Sequence, residues 1–318
     1  MPNVRLGPQA DLAFVMTAQR ARLDSARWHF QHGPIDLVIG ADGDAAAVAA
    51  AHEAAWRRFE SVLDELVVEL RLLRLPVNAA HPCPLRGDVS ASMWQACLPF
   101  ATGFITPMAA VAGAVADAVI AAYQRDGVQR AWVNNGGDIA LHLAAGESLR
   151  VGLVADLGRR PSLAPSGLLA TDARFELSAA LPVRGVATSG WRGRSFSLGI
   201  ADSVTVLARS AAQADAAATV IANAVDVDDP RIERRPACEL KDDSDLGALP
   251  VTVDVPALGD VALQAALQAG LRCAEALRAR GLIHHAVLTC QGMAVTTATP
   301  AMPQNQAAVA VRVGSVLV

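Results

Sequence analysis

Lysine is almost missing from this chain: Lys241 stands alone, and the remaining positive charge is arginine. A phosphate loop of the Walker type needs a lysine after its glycine-rich turn, so that route to nucleotide binding is excluded. A basic excess is missing too. The 27 basic and 31 acidic residues leave a net charge of −4, whereas a nucleic-acid binder carries a basic footprint. Aromatic residues make up only 4%, too few for the stacking platforms that hold single strands. The cysteines are Cys83, Cys97, Cys238, Cys273 and Cys290. They form no CxxC and none stands at ligand spacing from a histidine, which points to reduced thiols rather than a disulfide framework or structural zinc. No apolar run reaches the ~20 residues of a membrane span. The first 25 residues show no secretory h-region. The expectation is a cytoplasmic protein that contacts neither nucleic acid nor membrane.

What the chain does have is apolar mass: 53% of 318 residues are hydrophobic, enough for a large core. Residues 35–41 are β-branched and bounded by Gly33-Pro34 and Asp42-Gly43, which predicts a strand. From Asp44 to about Leu73, apolar residues recur at helical spacing (Val48, Trp56, Phe59, Val62, Leu63, Leu66, Val67, Leu70), predicting one long amphipathic helix. Pro76, Pro82 and Pro84 predict a loop. A second helix is expected from a Thr106 N-cap and Pro107 to Arg125, with a face of small residues that lets another backbone or a ligand come close. Further strands are expected at 131–133, 139–143, 150–154, 186–187, 204–208, 251–255, 284–289, 292–297 and 309–313. Two more helices are expected at 211–225 and 260–280. Residues 226–247 are charged and irregular in composition, which predicts a solvated connection. Helices and hairpin-like strand pairs alternate without a βαβ rhythm, so the fold class is α+β around antiparallel sheet. One domain over 1–318 is expected, with 1–34 as an N-terminal extension.

The residues with special chemistry cluster between 134 and 223. Asn134-Asn135-Gly136-Gly137-Asp138 ends a strand. Its glycines permit positive φ and backbone approach to an anion, and the same pattern is also a hairpin-turn signal. Ala187-Thr188-Ser189-Gly190 repeats the theme after another strand. Asp215 and Thr219 stand at i and i+4 on a predicted helix, where a carboxylate and a hydroxyl can share one hard cation. Asp202 precedes a strand, a position that also suits a turn residue. His284 and His285, adjacent on a strand, face opposite sides and cannot chelate one ion. His142 and Trp191 flank the two glycine motifs and can either face a pocket or pack.

The order of these motifs resembles the FAD:protein FMN transferases of the ApbE superfamily. Those carry a VNxGGD-like loop, an ATSG segment, an SVTV strand and an ADALATA-like helix. Here the matching residues are 133–138, 187–190, 203–206 and 214–219. The resemblance is closer to the UPF0280 branch, through Pro107 to Ala114, NGGDIA (135–140), SLGIADSVTVLA (197–208) and DSDLG (243–247). It covers roughly residues 35–300, with the specific motifs inside 106–247.

The resemblance implies a T-fold-related antiparallel sheet with helices packed on one face. It also implies Mg²⁺ at Asp215 and Thr219, a flavin- or pterin-like ligand against Asn135, Gly136, Gly137, Ser189 and Gly190, and reaction chemistry at Asp138, Thr188 and Asp202. A homodimer is expected, because T-fold relatives commonly assemble. One departure stands out. The HIIDPRTG-like stretch of the FMN transferases is replaced by WRGRSFSLGIADS (191–203), without histidine or proline, which points away from FMN transfer onto a protein threonine. The resulting expectation is a Mg²⁺-assisted transferase or hydrolase acting on a phosphate-containing heterocycle. The alternatives are a silent flavin- or pterin-binding protein, and a step in pterin-linked one-carbon metabolism.

Overall fold

The computed structural model describes residues 17–152, 172–298 and 312–314. Strands β1 (Gln19–Arg22), β2 (Arg27–His32) and β3 (Ile35–Gly43) lead into the long helix α1 (Ala45–Leu73). Helices α2 (Asp88–Cys97) and α3 (Val111–Ile120) follow, then β4 (Val128–Asn135), β5 (Asp138–Leu143) and β6 (Ser148–Gly152). β7 (Asp172–Ser178), β8 (Gly185–Ser189) and β9 (Ser203–Ala208) precede α4 (Ala211–Ala224). β10 (Glu233–Pro236), the one-turn α5 (Ala237–Leu240), β11 (Pro250–Asp254) and α6 (Asp260–Ala279) come next. β12 (His285–Cys290), β13 (Met293–Thr296) and β14 (Arg312–Gly314) complete the described elements.

Nine strands form one antiparallel sheet in the order β1-β2-β3-β4-β5-β8-β9-β12-β13. The fold is α+β. Along each strand alternate residues face opposite sides. Val133, Ala140, Ala187, Val204, Val206, Ala286 and Leu288 share a core with α1, α2, α3, α4 and α6. Ile139, Leu141, Val186, Leu207 and Val287 face the other side and pack with Val151, Phe175 and Leu177 of β6 and β7. Helices therefore cover one face, while a small sheet of β14, β7 and β6 covers part of the other.

α1 forms as its periodicity predicts. Asp44 caps it, accepting from the Ala46 and Ala47 amides at 3.0 and 2.9 Å, and Ala51, Ala55, Phe59, Val62 and Leu66 are its buried stripe.

Four expectations need correction. Residues 19–32 are not an extension: β1 and β2 are strands of the main sheet, and the fully buried Phe30 packs edge-on against Trp56. The loop after Pro84 contains the unexpected α2, whose Val89, Met93, Trp94 and Cys97 are buried at helical spacing. The helix expected at 106–125 is three pieces, with 3-10 turns at Pro107–Ala110 and Ala121–Tyr123 around α3. Thr106 makes no cap there; its hydroxyl donates to the Asp245 carboxylate. The charged 226–247 segment holds β10 and α5; most of its ion pairs are internal, as in Arg234 to Asp226 at 2.5 Å, while Arg74 to Asp243 at 2.6 Å ties it to the end of α1. The small-residue face of α3 is used inside the chain, against α4. Most of the strand expected at 309–313 lies outside the described residues.

Candidate functional site

The β4–β5 hairpin brings the first group of residues to one end of the sheet. Asn135 pairs with Asp138 across a two-residue turn whose Gly136 and Gly137 have φ of 66° and 117°. Side chains strain at such angles, which explains the two glycines. The Gly137 N–H donates to Asn134 Oδ1 at 2.9 Å, so in this state that amide serves the turn. Alternation puts Asn135 and Asp138 on the helix-covered face, with Val133 and Ala140. There the Asn135 amide donates to the Ala112 carbonyl at 3.1 Å, fixing the hairpin to the start of α3.

Helices α3 and α4 supply the opposite wall. Asp215 does not cap its own helix. Its Oδ2 accepts the Gly113 N–H at 3.0 Å, one of the orphan donors in the first turn of α3. In return Asp117 of α3 accepts the Ala211 and Ala212 amides, both at 2.9 Å, at the start of α4. The helices approach so closely that a Cβ on Gly113 would stand 2.3 Å from the Ala211 carbonyl oxygen. Thr219, one turn beyond Asp215, is part-exposed, and among the described residues its hydroxyl has no hydrogen-bond partner.

Asp138 and Asp215 thus meet from elements far apart in the chain. Both retain some solvent exposure. Burial pushes the Asp138 carboxyl well above the usual carboxylate range, opposed by the Thr188 N–H and the Arg194 charge. Burial also raises Asp215 strongly, and the neighbouring Asp138 charge adds to the rise. Two such carboxylates do not both ionise cheaply; they share a proton or take up a cation.

The ATSG segment is divided between the two faces. The Thr188 backbone N–H donates to Asp138 Oδ1 at 3.1 Å. Its hydroxyl lies on the far face and shares a 2.9 Å hydrogen bond with Thr205, so this residue reaches Asp138 through the main chain and not through the group the sequence pointed to. Ser189 is part-exposed on the helix-covered face, and Gly190 is buried with no room for a side chain, since a Cβ would lie 2.3 Å from the Asp202 carbonyl oxygen.

Asp202 meets Gly190 through its main chain. Its Oδ2 accepts the Gln291 N–H in the β12–β13 turn, and Arg192 stands 3.7 Å from its Oδ1. Trp191 packs against the core and carries the Arg192 guanidinium 4.9 Å from its ring centroid. His142 bonds the Val128 carbonyl at 3.2 Å, and His285 lies between Thr296 and Thr297. Among the described residues, no histidine is a partner of Asp138 or Asp215.

Asp117, Gly113 and Arg194 escaped the sequence reading as site residues. The first two carried a usable signal: Gly113 and Asp117 are four apart on α3, as Ala211 and Asp215 are on α4.

Among the described residues no group of three or more His, Cys, Asp or Glu side chains could hold a metal. Two carboxylates and a hydroxyl are nonetheless a hard-oxygen set. They fit Mg²⁺, which is commonly held by one or two carboxylates with waters and substrate phosphate. No helix among the described residues is long and apolar enough to cross a membrane.

Residues 18–297 match the family model described as "AbpE bacteria". A UPF0280 protein of Methanopyrus kandleri is 35% identical over 211 residues, 65% of this chain and 78% of that protein. The UPF0280 protein of Methanosarcina acetivorans is 32% identical over 207 residues, 64% of this chain and 75% of that one. With the UPF0280 protein of Methanospirillum hungatei the identity is 38% over 143 residues, spanning about half, 51%, of that protein and 45% of this chain. Among solved structures, the apo flavinyl transferase ApbE of Pseudomonas stutzeri aligns over 89% of this chain and 94% of its own, with 15% identity and a TM-score of 0.43.

Proposed function

This chain belongs to the UPF0280 family and to the bacterial AbpE family, and from that premise we propose that it is a cation-assisted transferase or hydrolase. Its substrate would be a phosphate-bearing small molecule with a flavin- or pterin-like ring. The observation that carries the reading is the Asp138–Asp215 pair, assembled from a hairpin and a helix and left part-open to solvent. A purely structural role favours one carboxylate with full amide partners. It does not favour two part-exposed carboxylates that repel each other.

Asp215 and Thr219 would hold Mg²⁺, which leaves Asp138 for the proton. Bound there, the ion supplies charge neutralisation at phosphate oxygens. The chain's own groups do the rest. Asp215 is oriented by main-chain N–H groups in the first turn of α3, that of Gly113 at 3.0 Å. Asp138, oriented by the Thr188 N–H, would accept a proton from an attacking hydroxyl or water. Ser189 and the Asn135–Gly137 turn form the rim on which the phosphate-bearing end would rest.

The missing histidine favours a second reading, in which the protein binds such a molecule without converting it. Incubation of the full chain with FAD and Mg²⁺ separates the two. Release of AMP, or of FMN joined to an acceptor, abolished in Asp215→Asn, supports the enzyme. Saturable binding without turnover supports the binding protein. If neither FAD nor FMN binds, the flavin-like class is wrong.

A further inference from the structure

We propose that Arg194 is the phosphate-recognition residue of this site, seated on the β4–β5 turn by the side-chain-free Gly136. The inference rests on the functional reading above and names the group that selects a phosphate-bearing ligand.

The first observation is contact. The Arg194 guanidinium lies directly on the β4–β5 turn: a Cβ on Gly136 would stand 2.1 Å from Nη2 and 3.2 Å from Cζ. The equivalent position on Gly137 meets nothing within 4 Å. One glycine of the pair therefore faces open space while the other seats an arginine.

The second observation is a division of labour within one loop. Arg192 is engaged, 4.9 Å from the Trp191 ring centroid and 3.7 Å from the Asp202 carboxylate. Arg194, two residues on, is exposed, and among the described residues it makes no ion pair or hydrogen bond. Its charge nevertheless acts on Asp138. An arginine whose task was to neutralise Asp138 would hydrogen-bond it. This one stops short, with its N–H donors directed to no protein acceptor. A planar fork of donors in that state matches two oxygens of a phosphate, and a cation held at Asp215 and Thr219 would neutralise the same anion. The glycine at position 136 then has a ligand-related reason beyond its positive φ.

The test is calorimetric titration of the full chain with inorganic pyrophosphate in excess Mg²⁺. Arg194→Gln should weaken binding by about 10- to 100-fold, the scale of a lost bidentate charge-assisted contact, and Arg194→Lys should recover part of it. Gly136→Asn keeps the arginine and tolerates positive φ, but its Cβ occupies the guanidinium's seat. It should reproduce the Arg194→Gln loss, with no further loss in the double variant. Arg194 is exposed, so its variants should fold, and circular dichroism checks this. Wild-type affinity retained within twofold in Arg194→Gln overturns the proposal, as does a wild-type protein that does not bind pyrophosphate. Asp215→Asn separates the two claims. Loss there with Arg194→Gln unaffected overturns the Arg194 inference and keeps the cation site; the reverse keeps Arg194 and removes the cation site.

Discussion

Asp117 and Asp215 cap each other's helices: Asp117 on α3 accepts the first amides of α4, and Asp215 on α4 accepts the Gly113 amide in the first turn of α3. Each helix start carries orphan donors and a partial positive charge that a carboxylate satisfies. The exchange welds the two helices into one unit over the sheet end. It fixes the direction of Asp215 without any other side chain.

The weld predicts an asymmetry between caps. Ala211 and Ala212 are 0% and 2% exposed, so the amides Asp117 satisfies cannot turn to water. Asp117→Ala should cost about 2 kcal/mol or more in urea unfolding, at or beyond the top of the range for a lost N-cap. Asp117→Asn, which keeps an acceptor, should cost less. Asp44→Ala, at the exposed start of α1, should cost about 1 kcal/mol. Equal losses at Asp117 and Asp44 would show that burial of the helix start is not what matters.

Gly113 makes a steric counterpart. An added Cβ would meet Ala211 oxygen at 2.3 Å and Ala212 nitrogen at 2.7 Å, and main-chain atoms cannot rotate aside. Gly113→Ala should therefore force α3 and α4 apart, lower stability by roughly 1–3 kcal/mol and loosen Asp215. Gly103→Ala, whose nearest neighbour would be 3.9 Å away, is the matched control and should be close to neutral. A thermal melt in which the two variants coincide would refute the close-packing argument.

Much of this architecture was legible in the sequence, for reasons that particular residues make plain. α1 is long and its apolar period unbroken, so local pattern and tertiary burial agree. Asn-Gly-Gly-Asp announced a hairpin because glycine most readily takes two successive positive φ values. α2 was hidden because three prolines precede it and it has only ten residues, so the spacing of Val89, Met93, Trp94 and Cys97 is too short a run for periodicity to stand out. β1 and β2 were hidden because Gln19–Arg22 is polar and exposed, an edge strand whose burial signal is confined to its partner. At the site, the sequence placed Asp138 and Asp215 together by motif order. It could not tell that Thr188 would turn its hydroxyl away, since that depends on which face of β8 the strand register assigns to each residue.

His285 sets a pH dependence away from the site. It is 4% exposed, bonded by the Thr296 and Thr297 hydroxyls, and burial lowers its pKa to about 4 from an ordinary 6.5. Between those values the unfolded chain binds the proton and the folded one does not. Stability therefore rises with pH across that window: the contribution is complete above about pH 6.5 and lost as pH falls towards 4. His285→Gln should flatten the acid limb of a plot of unfolding free energy against pH between pH 4 and 6.5. An unchanged limb would assign it to other groups.

The last expectation sets stability against function at one residue. In Asp215→Asn the amide oxygen can still accept the Gly113 N–H, while the charge that burial and Asp138 disfavour is gone. The variant should melt at the wild-type temperature or a few degrees higher, since about 1 kcal/mol corresponds to a few degrees in a domain of this size. It should also lose Mg²⁺-dependent ligand binding. Thr219→Val should leave the melting temperature near wild type and weaken that binding less, because a neutral oxygen is removed in place of a charged one. Two results would count against this. A fall of more than about 5 °C in Asp215→Asn, about 1–2 kcal/mol in a domain of this size, would make the residue chiefly a helix cap. Full Mg²⁺ dependence in the same variant would move the cation elsewhere. If stability rises as binding disappears, the protein carries an electrostatic cost at rest that a bound cation relieves, the signature of a residue kept for function.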